Sequence, residues 1–134
     1  MTAITVIEGI GEATAEKLKA ADIETCEALL EKGASAKGRE EIVAASGVSK
    51  TLILKFVNHA DLCRVKGVAG EYAELLEAAG VDSVPELAQR NADNLAAKMQ
   101  EVNDEKKLVR SVPSAKMVSG WVDQAKELPR VVTH

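Results

Sequence analysis

The sequence predicts an all-α fold made of two tandem copies of one helical repeat, packed into one compact domain. Three observations lead to this prediction. No convincing strand pattern occurs anywhere in the 134 residues. The segment Ile7–Leu18 recurs as Val65–Leu76 without a gap, at an offset of 58 positions, which indicates a duplication. The aromatic residues are only one Trp, one Tyr and one Phe, so we expect an aliphatic core of the kind found between closely packed short helices.

The two copies also match near their ends, where Ser49–Ala60 lies over Ser114–Ala125 at an offset of 65 positions. The second copy therefore carries seven extra residues in its middle. The predicted divisions are a first repeat over residues 1–64, a second over 65–129 with a short insertion near 104–111, and a tail over 130–134. Because each repeat lies near the lower size limit for independent folding, we expect the two repeats to share one core.

Capping residues and apolar spacing divide each repeat into helices. Thr25, Ser35 and Ser49 are N-cap candidates in the first repeat, after an extended lead-in over residues 1–6. The predicted helices of this repeat cover residues 12–21, 25–33, 35–46 and 49–64. Those of the second repeat cover residues 71–79, 83–90, 93–103, 105–110 and 114–128. Asn91 is expected to close the second of these helices, and the inserted residues are expected to form the short helix over 105–110.

The most specific pattern is the turn at residues 7–11, which precedes the first helix. Its two glycines, Gly9 and Gly11, allow a tight turn with positive φ. The helix that follows leaves its first amides without partners inside the helix. This pattern resembles the hairpin of the helix-hairpin-helix family. That resemblance implies that hairpin amides hold a nucleic-acid phosphate without reading sequence, and that hairpin carbonyls hold a monovalent cation, as in some members.

The order of motifs over the full chain resembles a bacterial domain-of-unknown-function family, number 4332. The residues that carry this likeness are Gly67–Ala73, Ala60–Arg64 and Trp121–Lys126. The resemblance supports a fold of two tandem helix-hairpin-helix repeats and implies no particular activity. Gly47–Ser49 and Val112–Ser114 look like degenerate hairpins, which gives four helical hairpins in the chain.

A unit of the helix-hairpin-helix kind needs a helix before its hairpin, but only six residues precede the first one. Six residues are too few for a stable helix. The C-terminal helix over residues 114–128 has the sequence register of the missing partner. We therefore expect this helix to pack beside Gly9–Gly11, from the same chain or from a second copy. The protein is accordingly expected to be a monomer or a homodimer.

The helix-hairpin-helix resemblance implies a set of binding residues. The expected phosphate-binding positions are Gly9, Ile10, Gly11, Ala13 and Thr14 in the first hairpin, and Gly67, Val68 and Gly70 in the second. The carbonyls of Thr5, Ile7 and Ile10 are the expected ligands of a monovalent cation, and no other cofactor is implied. The basic residues expected to support contact with nucleic acid are Lys50, Lys55, Lys107 and Arg110.

The charges oppose nucleic-acid binding near the first hairpin. Residues 1–33 contain three lysines against seven acidic residues, and the whole chain has a net charge of −4. Phosphate contacts supply most of the affinity for nucleic acid, and scattered lysines usually lie on solvated helix faces. The alternative is therefore a protein-protein interaction adaptor or scaffold. Its contacts would be apolar residues of the insertion and tail, namely Leu108, Val109, Val112, Val131 and Val132.

Catalysis has the least support. His59 lies within a long helix, His134 is the last residue, and neither has a nucleophile or metal ligand at a useful spacing. Cys26 and Cys63 lack metal-ligand spacing and are expected to be reduced core residues. No signal peptide or membrane span is evident, so a cytoplasmic location is expected. We expect a non-catalytic binding module with DNA or RNA as the first candidate partner, a protein as the second, and no membrane contact.

Overall fold

The protein is all-helical in a computed structural model that describes residues 2–133. Eight α-helices occur in these residues, after a short 3-10 helix at Ile4–Val6 that replaces part of the expected extended lead-in. They are α1 (Glu12–Lys19), α2 (Cys26–Gly33), α3 (Ala36–Ser46), α4 (Lys50–Leu62), α5 (Gly70–Ala78), α6 (Val84–Ala88), α7 (Ala92–Lys106) and α8 (Ala115–Glu127). The only β pairing in the described residues is one bridge between Ala3 and Thr25. The all-α prediction is therefore confirmed.

The described residues form two compact units, each with its own apolar core. The first unit contains the residues up to Asp61 together with 131–133, and the second contains Leu62–Arg130. Fully buried side chains of the first core include Ile7, Leu18, Leu29 and Phe56. Those of the second include Leu75, Leu76, Leu87 and Met99. The expectation of one core shared by both repeats is therefore wrong, because the buried apolar residues separate into two clusters.

The helix starts follow the predicted capping residues. In five cases a serine or threonine oxygen accepts a hydrogen bond from the backbone N–H three residues later, at 3.0–3.4 Å. The capping residues are Thr25, Ser35, Ser49, Ser83 and Ser114. Each bond satisfies one of the amides that a helix N-terminus leaves without an internal partner. The three N-cap predictions of the first repeat are therefore confirmed, and the helices predicted to start at residues 83 and 114 are capped by the serines at those positions.

Asn91 has the opposite role to the predicted one. Its side-chain oxygen accepts a hydrogen bond from the N–H of Asn94 at 3.0 Å, so it begins α7. The prediction that Asn91 closes the preceding helix is wrong. Asparagine favours both ends of helices, so the residue type alone leaves the choice open. Here α6 ends at Ala88, before Asn91 is reached.

The extra residues of the second repeat do not form the predicted helix over 105–110. Instead α7 continues to Lys106 and ends where Lys107 adopts a left-handed conformation with φ of 52°. The Asn103 side chain then fixes the connection to α8. It accepts from the N–H of Val109 at 2.9 Å and donates to the carbonyl of Val109 at 3.0 Å. The insertion therefore lengthens one helix and one connection.

No helix among residues 2–133 combines the length and the apolar character that are needed to cross a bilayer.

Candidate hairpin site

The first turn projects a short stretch of exposed backbone from the core of the first unit. Ile7 and Ile10 anchor the turn, since both side chains are buried. The N–H of Ile10 donates to the carbonyl of Ile7 at 3.1 Å, which closes the turn. Gly9 between them has φ of +92°, a conformation that glycine adopts far more readily than other residues. Gly11 then provides the N-cap of α1 in an extended conformation, with φ of −89°.

The second turn has the same backbone conformation as the first. The N–H of Val68 donates to the carbonyl of Val65 at 3.1 Å, and both side chains are buried. Gly67 has φ of +95°, within a few degrees of Gly9. Ala69 takes the N-cap place of the second glycine, with φ of −106° and ψ of −175°. The duplication seen in the sequence is thus matched by a repeated backbone geometry.

Each turn is packed against an aromatic ring of the long helix that ends its own repeat. A Cβ atom added to Gly9 would lie 3.4 Å from Phe56 Cε1, and one added to Gly67 would lie 2.9 Å from Trp121 Nε1. Phe56 and Trp121 are the residues aligned at the offset of 65 positions. The two units therefore use equivalent rings to cover equivalent glycines.

Within the first unit, the long helix beside the Gly9 turn is α4, whereas the sequence predicted the C-terminal helix, from the same chain or from a second copy; packing of that helix from a second copy stays a prediction. The ring next to Gly9 is Phe56 of α4, and α8 contributes its buried residues to the core of the second unit. The sequence of α4 aligns with that of α8, so the sequence register that made α8 a candidate for the missing helix makes α4 an equal candidate. Because α4 belongs to the same repeat as the first turn, fewer residues separate this turn from α4 than from α8.

The start of α1 leaves several amides available. Gly11 forms no side-chain capping bond, and the first hydrogen bond of the helix is from the N–H of Ala15 to the Gly11 carbonyl. The N–H groups of Gly9, Gly11, Ala13 and Thr14 have no acceptor within residues 2–133. Gly9, Gly11 and Ala13 are exposed, and Thr14 is partly exposed. The predicted phosphate-binding positions of the first turn are thus brought together, except that the Ile10 side chain points into the core.

The second turn offers less exposed backbone. Gly70 is the first residue of α5 and is buried, and the Val68 side chain is buried as well. Ala69 carries a methyl group at the position where Gly11 has none. Gly67 remains exposed. Of the three residues predicted for this turn, only Gly67 is therefore open to a ligand.

Three glutamates surround the first turn. Glu8, Glu12 and Glu16 are all exposed, and no Lys or Arg of the described residues forms an ion pair with any of them. One of them, Glu12, lies in the first turn of α1, where a carboxylate complements the helix dipole. An anionic ligand at the turn therefore meets three uncompensated negative charges.

The predicted basic residues are divided between the units. Lys50 and Lys55 lie on α4 in the first unit, and Lys107 and Arg110 lie in the connection from α7 to α8 in the second. Lys55 is half-buried and the other three are exposed. None of the four makes a hydrogen bond or ion pair with either turn in the described part of the chain. Lys55 immediately precedes Phe56, whose ring packs against Gly9.

The three carbonyls predicted to bind a cation differ in whether they already accept a hydrogen bond. The carbonyl of Ile7 accepts the N–H of Ile10, whereas the carbonyls of Thr5 and Ile10 accept no hydrogen bond from the described residues. Thr5 lies within the 3-10 helix that leads into the turn. Backbone carbonyls suit hard cations, so Thr5 and Ile10 retain the chemistry that the prediction requires.

The nucleophilic side chains are poorly placed for chemistry. His59 is fully buried within α4. Burial raises the pKa of the Cys63 thiol to about 11, which keeps it protonated at neutral pH, and Cys26 is buried. His134 lies outside the described residues. Within those residues, no group of three or more His, Cys, Asp and Glu side chains is arranged to hold a metal ion.

The insertion and tail residues predicted for a protein contact are mostly covered. Val109 and Val132 are buried, and Leu108 and Val112 pack against the core of the second unit. The expectation of exposed side chains is therefore wrong for Val109 and Val132, whereas Leu108, Val112 and Val131 are half-buried. The exposed large apolar side chains of the described residues are instead Val6, Leu52 and Met117.

Arg39 of α3 was not singled out by the sequence analysis, yet it is buried despite its charge, with only 7% of the residue exposed. A signal was present, because Arg39 lies three positions before the core residue Ile42 and so shares its helix face.

The fold and the turns define an all-helical protein in which a glycine turn opens onto a helix in each of two units. The chain belongs to the family described as a domain of unknown function, DUF4332, whose sequence profile matches residues 8–128. This match confirms the resemblance to that family seen in the sequence. No curated protein matches the chain, and no solved structure matches it.

Proposed function

We propose that this protein is a non-catalytic binding module whose first turn binds the phosphate backbone of DNA or RNA without reading its sequence. The observation that carries the proposal is the set of exposed N–H groups at Gly9, Gly11, Ala13 and Thr14, which lack an acceptor in the described residues. Amides at a helix N-terminus favour an anion, both as donors and through the helix dipole. The repeated turn geometry supports the relation to the helix-hairpin-helix family.

The shape of the first turn also favours a close approach. A Cβ atom added to Gly11 would have no heavy atom within 4 Å, so the space over this residue is open. A phosphate oxygen can therefore reach the amides without moving a side chain. The turn contributes backbone donors only, and such contacts position a nucleic acid without distinguishing bases.

The surrounding charges limit the affinity. A phosphate at the turn lies near Glu8, Glu12 and Glu16, and like charges repel even through water. Lys50 and Lys55 lie in the same unit, on the helix whose Phe56 ring packs against Gly9, and are the candidates for compensation. We therefore expect weak binding with a shallow dependence on salt, because few phosphates are neutralised and few counterions are released.

Gly11→Glu is expected to weaken binding to duplex DNA about tenfold or more, because it places a fourth carboxylate at the proposed phosphate site. The measurement is a titration of labelled duplex DNA, repeated from about 20 mM to about 200 mM salt. Gly120→Glu is the matched control. It adds the same charge at an exposed position of α8 where a Cβ meets no atom within 4 Å, and it should bind like the unmodified protein. Absence of binding at the lowest salt, or an equal effect of both substitutions, would reject the role of the turn.

A second candidate function is a protein-protein interaction adaptor. It is favoured by Leu52 and Met117, which are 44% and 43% exposed. These residues occupy equivalent positions of the two repeats, on α4 and α8, at the offset of 65 positions. A single exposed apolar residue is ordinary on a protein surface. The same exposure at the same position of both copies means that each unit offers an equivalent apolar side chain to a partner.

Leu52→Glu combined with Met117→Glu is expected to abolish binding of a protein partner while leaving binding of DNA unchanged. The measurement is recovery of a stoichiometric protein on the immobilised chain after nuclease treatment. Thr51→Glu combined with Ala115→Glu is the control, since it adds two carboxylates at exposed positions of the same helices. Recovery that survives the first pair, or that the control pair also abolishes, argues against these side chains as the contact.

A further inference from the structure

Thr133, in the tail, is bound by its backbone to other residues of the first unit. The N–H of Thr133 donates to the carbonyl of Ala34 at 2.8 Å. The carbonyl of Thr133 accepts a hydrogen bond from Arg39 Nη2, also at 2.8 Å. The Thr133 hydroxyl adds a longer bond to the Ala34 carbonyl at 3.3 Å. Both main-chain polar groups of this residue are thus paired with the first unit.

Arg39 joins the tail to the end of α2. Its Nη1 donates to the carbonyl of Gly33 at 2.8 Å and to that of Ala34 at 3.1 Å, while Nη2 reaches the tail. No carboxylate of the described residues forms an ion pair with it, so carbonyl oxygens alone satisfy this buried cation. A buried charge is costly unless its hydrogen bonds are made. The guanidinium is therefore held in one position, with one of its nitrogens directed at the tail carbonyl.

The residue before Thr133 supplies the apolar contact. Val132 is only 2% exposed and belongs to the same buried cluster as Leu29, Ile42 and Val57. Gly33 forms the closely packed end of α2, since a Cβ atom there would lie 2.5 Å from Val57 Cγ2. The first unit thus buries one branched apolar side chain of the tail and, next to it, supplies one backbone acceptor and one guanidinium donor to Thr133.

We propose that this surface is a peptide-binding site and that residues 131–133 are its intramolecular ligand. The site recognises a short segment in which a β-branched apolar residue precedes a residue with a free N–H and carbonyl. A hydroxyl on that second residue adds the bond seen for Thr133. Any peptide with this chemistry can use the same contacts once the tail has left. Because the tail is tethered, its effective concentration is high, and it keeps the site closed to such peptides in the unmodified protein.

The test is binding of a fluorescent synthetic peptide, Leu-Pro-Arg-Val-Val-Thr-His, to the full chain and to tail variants. Val132→Asp releases the tail without altering the site, because burying an unpaired carboxylate in this apolar cluster is costly. We expect this variant to bind the peptide at least about tenfold more tightly than the unmodified protein. Thr133→Pro is the second releasing variant, since proline lacks the N–H that bonds to Ala34. The control peptide has Asp in place of the valine before threonine, and it should bind neither variant.

Three further outcomes are decisive. Arg39→Lys in the Val132→Asp chain should weaken peptide binding, because lysine cannot bond three carbonyls in the same fork geometry. A dimer that forms at high concentration in the unmodified chain and is lost in Val132→Asp would show the tail of a second copy in this site, which supports the proposal. If both tail variants retain the helical circular dichroism of the unmodified chain yet bind the peptide no better than it does, the tail is only a packed terminus and the proposal is overturned.

Discussion

Replacing Gly67 by alanine is expected to lower the free energy of unfolding by about 3 kcal/mol. Two costs add up. A residue with a side chain at φ of +95° costs about 1–2 kcal/mol. The new methyl group would also lie 2.9 Å from Trp121 Nε1, and overpacking of this kind costs about 1–3 kcal/mol. The ring is rigid and buried, so it cannot yield as a flexible side chain would.

Urea unfolding followed by circular dichroism measures this loss, and the fluorescence of Trp121, the only tryptophan, shows that it arises in the second unit. Gly11→Ala is the matched control. Gly11 has φ of −89° and open space around its Cβ position, and Ala69 already occupies the equivalent backbone. We expect this control to lie within about 0.5 kcal/mol of the unmodified protein, since alanine restricts the unfolded chain. Equal losses for both substitutions would contradict the role assigned to the Gly67 turn.

Trp121→Ala is expected to destabilise the second unit by about 4 kcal/mol, the range typical of large aromatic residues removed from a core. The ring is 3% exposed, covers Gly67 and lies 5.4 Å from the ring of Tyr72, measured between centroids. Its removal therefore opens a cavity and leaves the turn without its packing partner. A loss of this size is a large fraction of the stability of a small domain.

Trp121→Phe tests whether a smaller aromatic ring can replace the indole ring at this position. The first repeat already uses Phe56 at this position, against a glycine of the same conformation. We expect a loss of about 1.5 kcal/mol or less, since a smaller ring keeps most of the contact. Urea unfolding followed by circular dichroism measures both variants, because the fluorescent residue is absent from each. If phenylalanine costs as much as alanine, the two turns are not supported in the same way.

The features that could be predicted from sequence depend on a few neighbouring residues. Thr25 and Ser83 cap helices because their oxygens reach an amide three residues away. Gly9 and Gly67 mark positive φ because other residues meet steric cost there. The same local rules failed at Asn91, whose side chain suits either end of a helix. They failed again after Asn103, because its two bonds to Val109 fix a connection that no local pattern reveals.

The first turn was predicted as a site from its glycines, and its exposed amides follow from the same residues. The packing around it was not predicted, since two long helices have the same register and only their place in the fold distinguishes them. The contact of Arg39 with Thr133 joins residues 94 positions apart. No spacing within a helix can indicate such a pair.

The sequence by itself determined the helical class, the duplication, the two glycine turns and most helix starts, because these follow from backbone sterics and hydrogen bonds within about four residues. Only the tertiary structure decided that Phe56 covers Gly9, that Arg39 is buried against the tail, and that Leu52 and Met117 remain exposed. Those outcomes depend on which apolar faces meet. Several helix faces have a similar composition, and which of them pack together depends on how well their side chains fill the volume of each core.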